Sequence, residues 1–294
     1  LSIRRQRQMC IRDRAVTVED RELLEALEPT VVTLMDRHLR ATKDWYPHEY
    51  VPWGRGRDFV PGERWDPEEF PLPDAVRSAL FVNLLTEDNL PYYFNTIDRV
   101  FGSGIWGEWT RRWTAEEMRH SMVIRDYLTV TRALDPVELE DGRMQQVTGG
   151  EVPEPETVPD ALVYVTIQEM ATRISHRNTG LHLGDSAGAR MMKRIAADEN
   201  LHHIFYRDLA SKALEIDPSG MVIAMQKQIC DFQMPGTGIP GFAAHAAAIA
   251  RQGIYNFAHH HDQILQPIVM THWKLESIEG LNDVAEKARD AIVP

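Results

Sequence analysis

Cysteine is nearly absent from this chain. Two occur in 294 residues, Cys10 and Cys230, which excludes a disulfide framework. Long apolar runs are missing too: no stretch of eighteen exists and mean hydropathy is −0.36, which argues against a transmembrane span. Basic residues are outnumbered, with 32 Lys and Arg against 44 Asp and Glu, so broad nucleic-acid binding is not expected. What is present is 43% hydrophobic content, enough for one large domain with a substantial core.

Residues 1–14, LSIRRQRQMCIRDR, hold five Arg and one Asp, leaving the body at a net charge of −16 (27 basic against 43 acidic residues). They lack amphipathic periodicity and capping signals. They read as a translated sequencing-library adapter joined to the reading frame, with a single domain over 15–294. An Arg-rich targeting peptide is the alternative, but the apolar centre of a signal peptide is missing. On the first reading Cys230 is the one native cysteine, which fits a reducing cytoplasm.

From Thr17 to about Arg40, Leu23, Leu24, Leu27, Val31, Leu34 and Met35 recur at helical spacing. Pro29 divides them into a helix pair or a kinked helix. Residues 44–73 read as an ordered loop anchored by Trp45, Trp53 and Trp65. Four long helical patterns follow, over about 73–101, 105–133, 157–180 and 186–214. Between the second and third, Pro136, Gly142, Gly149, Gly150, Pro153, Pro155 and Pro159 leave no helix expected over 135–160, a crossover of the kind ferritin-like bundles use once. After Pro218, segments near 219–232, 240–257 and 259–275 read as packing helices. The consecutive histidines 259–261 point in different directions on a helix and read as a solvated helix start.

Two hairpins carry metal chemistry. Glu87 stands thirty residues before Glu117 in Glu117-Met118-Arg119-His120, and Glu169 stands thirty before Glu199 in Glu199-Asn200-Leu201-His202. With 23 Glu and 12 His in 294 positions, roughly one Glu-x-x-His arises by chance, so the motif alone decides nothing. The hairpins add the missing constraint: ligands at equal depth in two antiparallel helices straddle a turn near their midpoint. Both midpoints are glycines, Gly102 and Gly184, and Asp185 is suited to N-cap the helix that follows. Positions i and i+3 share a helix face, so each motif presents a carboxylate and an imidazole together. Glu87 and Glu169 then cap or bridge the pair. The fold expected is all-α, a ferritin-like four-helix bundle with a di-metal centre and additional packing helices.

Four carboxylates and two imidazoles suit iron or manganese better than structural zinc, and open positions would remain for dioxygen. Glu116 and Asp198 read as groups behind the ligands that orient an imidazole. Thr172, one turn after Glu169, either donates toward the metals or bonds to its own helix carbonyl. Trp109 and Trp113 face the bundle interior as core packing or as an electron route. Pro91, four residues after Glu87, is expected to bend its helix, either opening room beside the site or standing as a tolerated kink with no role.

The segments WYPHEYVPW (45–53), TEDNLP (86–91), WTAEEMRH (113–120), QEMATRISHRNTG (168–180) and AADENLHHIFYRD (196–208) resemble the soluble acyl-[acyl-carrier-protein] desaturases, the di-iron enzymes of the plastid stearoyl type and their bacterial relatives. The resemblance implies that Glu87, Glu117, His120, Glu169, Glu199 and His202 hold two iron ions. It sets Thr172 beside the oxygen-binding face and Trp45 with Asp198 on an electron route toward His120. It further implies O2-dependent removal of two hydrogens from adjacent methylenes of an acyl chain, giving a cis double bond and water. The partners implied are acyl carrier protein, a ferredoxin-like electron donor and a second copy of the chain in a homodimer.

Such a substrate needs a long bent apolar channel, for which Tyr92, Phe94, Met118 and Met122 are candidate lining. An acidic carrier needs a local basic patch, for which Arg37, Arg40 and Lys43 are candidates. TEDNLPYY and the Leu201 of DENLH depart from the plastid pattern, leaving chain length, double-bond position and donor open. The end at Pro294 reads as short for the family. A different ferritin-like oxidase, or an iron-handling or non-catalytic homologue, would keep the same ligands.

Overall fold

The apolar stripe of Leu23, Leu27, Val31 and Leu34 forms one helix, α1 (Val18–Ala41), in the computed structural model, which describes residues 18–150 and 152–293. Of the helix pair and the kinked helix expected at Pro29, the pair does not occur, because one helix runs through the proline. Leu27 and Val31 on either side are fully buried, and that burial outweighs the one hydrogen bond the proline removes. Residues 1–14 lie outside the described residues.

Residues 44–73 form short 3-10 turns at Pro47–Glu49, Trp53–Arg55 and Pro67–Glu69. Trp45 is buried, and Trp65 donates from its indole nitrogen to the Arg132 carbonyl at 2.8 Å. Then come α2 (Asp74–Asp88), α3 (Leu90–Phe101), α4 (Gly104–Thr131), α5 (Pro136–Gly149), α6 (Val158–His182) and α7 (Ser186–Ile216). Helices α8 (Pro218–Asp231), α9 (Phe242–Arg251), α10 (Phe257–His260, continued by π-helical turns over His261–His272) and α11 (Asp283–Ile292) pack around these. No strand occurs among the described residues.

Helix α5 corrects the expectation that no helix forms over 135–160. Its breakers sit where helices tolerate them: Pro136 is in the first turn, Asp135 caps it by accepting from Val137 N, and Gly150 ends it at φ 63°. Gly142, the interior one, is a packing contact, since a Cβ there would lie 2.7 Å from Phe81 Cζ. Near Glu87, too, Pro91 marks a full break. Helix α2 ends at Asp88, Asn89 intervenes, and α3 begins at Leu90 with proline in its first turn.

The buried apolar residues divide into two clusters with a polar band between them. On α4, Trp106, Trp109 and Trp113 belong to one cluster and Val123, Ile124, Tyr127 and Leu128 to the other, with Glu116, Glu117 and His120 buried between. On α7, Met191, Met192 and Ile195 lead to Asp198, Glu199 and His202, and then to Phe205, Tyr206 and Leu209. Apolar packing on both sides holds the polar band in register. Asp185 caps α7 through Gly188 N at 2.9 Å, after Gly184 at φ 71°.

Candidate metal centre

Six buried side chains converge from four helices. Donor atoms of Glu87, Glu117, His120 and Glu199 lie within 4.8 Å of one another, as do those of Glu117, Glu169, Glu199 and His202. The two groups share Glu117 and Glu199, the motif glutamates, while Glu87 and Glu169 each belong to one group. Of the two roles open to Glu87 and Glu169 from sequence, this arrangement favours terminal over bridging.

The donor set fits a pair of cations. His202 Nδ1 and Glu117 Oε1 approach to 2.7 Å without forming a hydrogen bond, and Glu169 Oε2 is likewise buried without a hydrogen-bond partner. Buried donor atoms gathered this closely, with hydrogen-bonding capacity left unused, suit metal ligands. Unpaired buried carboxylates are otherwise costly.

Behind each histidine stands a carboxylate. His202 Nε2 donates to Glu116 Oε2 at 3.0 Å, and the same oxygen accepts from His38 Nε2 at 2.9 Å. Glu116 Oε1 accepts from Arg112 Nε at 2.7 Å. His120 Nε2 faces Asp198 Oδ2 at 3.5 Å; that oxygen accepts from Trp45 Nε1 at 2.7 Å, and Arg194 pairs with the other. Trp45 stacks on His120 at 6.4 Å with Arg119 over its ring. Trp113 is no mere packing residue, because its indole nitrogen donates to Glu169 Oε1 at 3.0 Å. Thr172 Oγ1 lies 3.0 Å from the Glu169 carbonyl and 3.2 Å from Glu199 Oε2, so both acceptors stand within reach of its single hydroxyl proton.

Two functional-site residues escape the sequence reading. His38 carries no positional signal. His176 donates from Nε2 to Glu87 Oε1 at 2.9 Å, and its spacing of seven from Glu169 places it two turns on along the same helix face.

Burial and crowding divide the titrations. Burial pushes Glu87 up to about 7, with Glu117 and Glu199 adding and His176 opposing. Glu169 is raised well above the carboxylate range, again chiefly by burial. Burial would raise Glu199 also, but His120 and His202 hold it well below its usual value. Burial opposes protonation of His120 and His202, yet the carboxylates around them, Glu117 first, raise both well above the imidazole range. Protons thus stand where cations would sit, and metal binding must displace them. Affinity for a divalent ion should therefore fall as pH falls below about 7, where Glu87 gains its proton. The expected slope is on the order of tenfold per pH unit for each proton displaced. Titrating the apoprotein with ferrous iron in weak buffer should acidify the solution; an unchanged pH would count against the site.

A cleft opens from Glu87, Glu117 and Glu199 along α3 and α6, past Leu90, Tyr93, Ile97 and Val100 to Phe101. A second adjoins Glu87 past Asn83, Ser175 and His176, and both touch Thr86 and Thr172. The four lining residues expected from sequence do not line either cleft. Met118 and Met122 are 54% and 48% exposed, and Tyr93 takes the place expected for Tyr92, whose ring lies against Gly150. In the expected basic patch, Arg37 pairs with Asp208 at 2.7 Å and Arg40 with Asp36, while Lys43 is exposed.

The family model described as fatty acid desaturase matches residues 19–294. The chain belongs to this family. It is 42% identical over 284 residues to the acyl-[acyl-carrier-protein] desaturase DesA1 of Mycobacterium tuberculosis, covering 93% of this chain and 84% of that one. It is 31% identical over 292 residues to the chloroplastic stearoyl-[acyl-carrier-protein] 9-desaturase of Simmondsia chinensis, covering 92% and 73%. The X-ray structure of DesA2 from M. tuberculosis superposes with a TM-score of 0.74 at 29% identity, covering 91% of this chain and 99% of that one. Among the described residues, this member of the family has no helix long and apolar enough to cross a membrane.

Proposed function

We propose that this chain desaturates a fatty acyl chain carried on acyl carrier protein, using two iron ions, dioxygen and electrons from a ferredoxin-type donor. The observation that carries the reading is the cleft that begins on the walls of the carboxylate cluster and runs on between apolar side chains. An iron-handling protein has no use for such a space.

The bound irons would activate dioxygen for hydrogen removal; the chain supplies the rest. Leu90, Ile97, Val100 and Phe101 offer an apolar wall that binds methylenes and excludes water, so one stretch of the chain is fixed beside Glu87, Glu117 and Glu199. The two clefts share Thr86, Glu87 and Thr172 in their walls, which puts apolar space on either hand beside the candidate ligands. Thr172 Oγ1 can hold a proton next to Glu199 Oε2. A cytoplasmic homodimer belongs to the same reading, by the family resemblance.

The iron-loaded protein, given ferredoxin, its reductase, O2 and a set of acyl carrier thioesters, should release fatty acids with one new cis double bond, read by mass spectrometry. Iron binding without unsaturated product would move the assignment to another oxidase substrate or a non-catalytic role.

A further inference from the structure

The two halves of the centre match in their ligands but not in what holds the terminal carboxylates. Glu169 accepts from the indole of Trp113, four residues before Glu117. The equivalent position in the other half, four before Glu199, is Ile195, a buried apolar residue with nothing to donate. Glu87 instead accepts from the imidazole of His176, seven residues after Glu169, and the equivalent position, seven after Glu87, is Phe94. Each hydrogen bond thus comes from the opposite hairpin, and Glu87 stands in the walls of two clefts.

Glu87 lines both clefts, and among the described residues Glu169 lines neither. His176 forms part of the wall of the second cleft, is 1% exposed, and keeps Nδ1 without a hydrogen-bond partner. Its Nε2 also lies 3.6 Å from Glu199 Oε1. The one terminal carboxylate that borders open space is therefore held by one side chain, which itself borders that space.

We propose that His176 is a positioning residue for Glu87, and that it makes the two metal positions inequivalent: the one served by Glu87 and His120 depends on His176, and the one served by Glu169 and His202 depends on Trp113. The inference rests on the metal-holding reading of the cluster. Removing a hydrogen bond that orients a ligand lowers metal affinity by roughly 10–100-fold, and here the loss should fall on one ion alone.

Cobalt(II), titrated into the apoprotein and followed by visible absorption, tests this without turnover. The wild-type chain should bind two equivalents. His176→Leu should lose about 10–100-fold in affinity for one equivalent and keep the other. His176→Gln, whose amide nitrogen reaches about as far as Nε2, should recover it, and Trp113→Phe should weaken the other equivalent instead. In a Glu87→Gln background His176→Leu should add nothing, whereas in a Glu169→Gln background its full effect should persist. If His176→Leu does not fold, His176→Asn, whose amide falls short of Glu87, takes its place. Unchanged binding of both equivalents, equal weakening of both, or an undiminished effect in Glu87→Gln overturns the proposal. A wild-type protein that binds no cobalt overturns the metal reading itself.

Discussion

Replacing Glu199 with alanine is expected to abolish double-bond formation while leaving the helical circular dichroism nearly unchanged. Glu199 belongs to both donor groups, so its loss would take one donor from each. It also leaves Thr172 Oγ1 without its carboxylate partner. The activity lost should exceed the roughly 10–100-fold typical of changes behind the ligands. The fold should survive because α7 is anchored by apolar residues on both sides of the site, Met191 to Ile195 and Phe205 to Leu209, and alanine is the best helix former. Assay of product alongside the far-ultraviolet spectrum tests both halves. Full activity in the variant would remove Glu199 from the ligand set.

Loading the apoprotein with ferrous iron under anaerobic conditions is expected to raise the melting temperature by on the order of 10 °C. Four carboxylates are buried in one polar band, and without cations they are kept apart only by protons and imidazolium charge. An ion that binds only the folded state at a thousand times its Kd stabilises by about 4 kcal/mol. For a chain larger than 150 residues each kcal/mol moves the midpoint by roughly 2–4 °C. Differential scanning calorimetry with and without iron reads the shift directly. Coincident curves would mean that the cluster does not hold metal tightly, whatever its geometry.

The ligand set was legible because a helix converts spacing into direction. Equal intervals of thirty residues around glycine turns leave little freedom in where Glu87, Glu117, Glu169 and Glu199 can point, and the structure brings all six expected ligands together. Helix α5 is hidden from a reading by breakers because Pro136 and Gly150 sit at its ends, and proline in a first turn and glycine after a last one are compatible with a helix. The same rule explains Pro91, which begins α3 and does not bend a longer helix. The cleft lining differs from the expectation by one position, Tyr93 in place of Tyr92, and Tyr93 falls with Thr86, Leu90, Ile97 and Val100 on one helical face.

The sequence by itself determined the all-α class, the paired hairpins and the six candidate ligands that the fold gathers, since each depends on interactions within one helix or across one turn. Only the tertiary structure decided which carboxylates are shared between the two donor groups, that His38 backs Glu116, that His176 and not a partner in its own hairpin holds Glu87, and where the clefts run. Those facts depend on the relative rotation and offset of helices far apart in the chain, such as α1 against α4 or α2 against α6. Packing of the two apolar clusters sets that offset, and no local spacing encodes it.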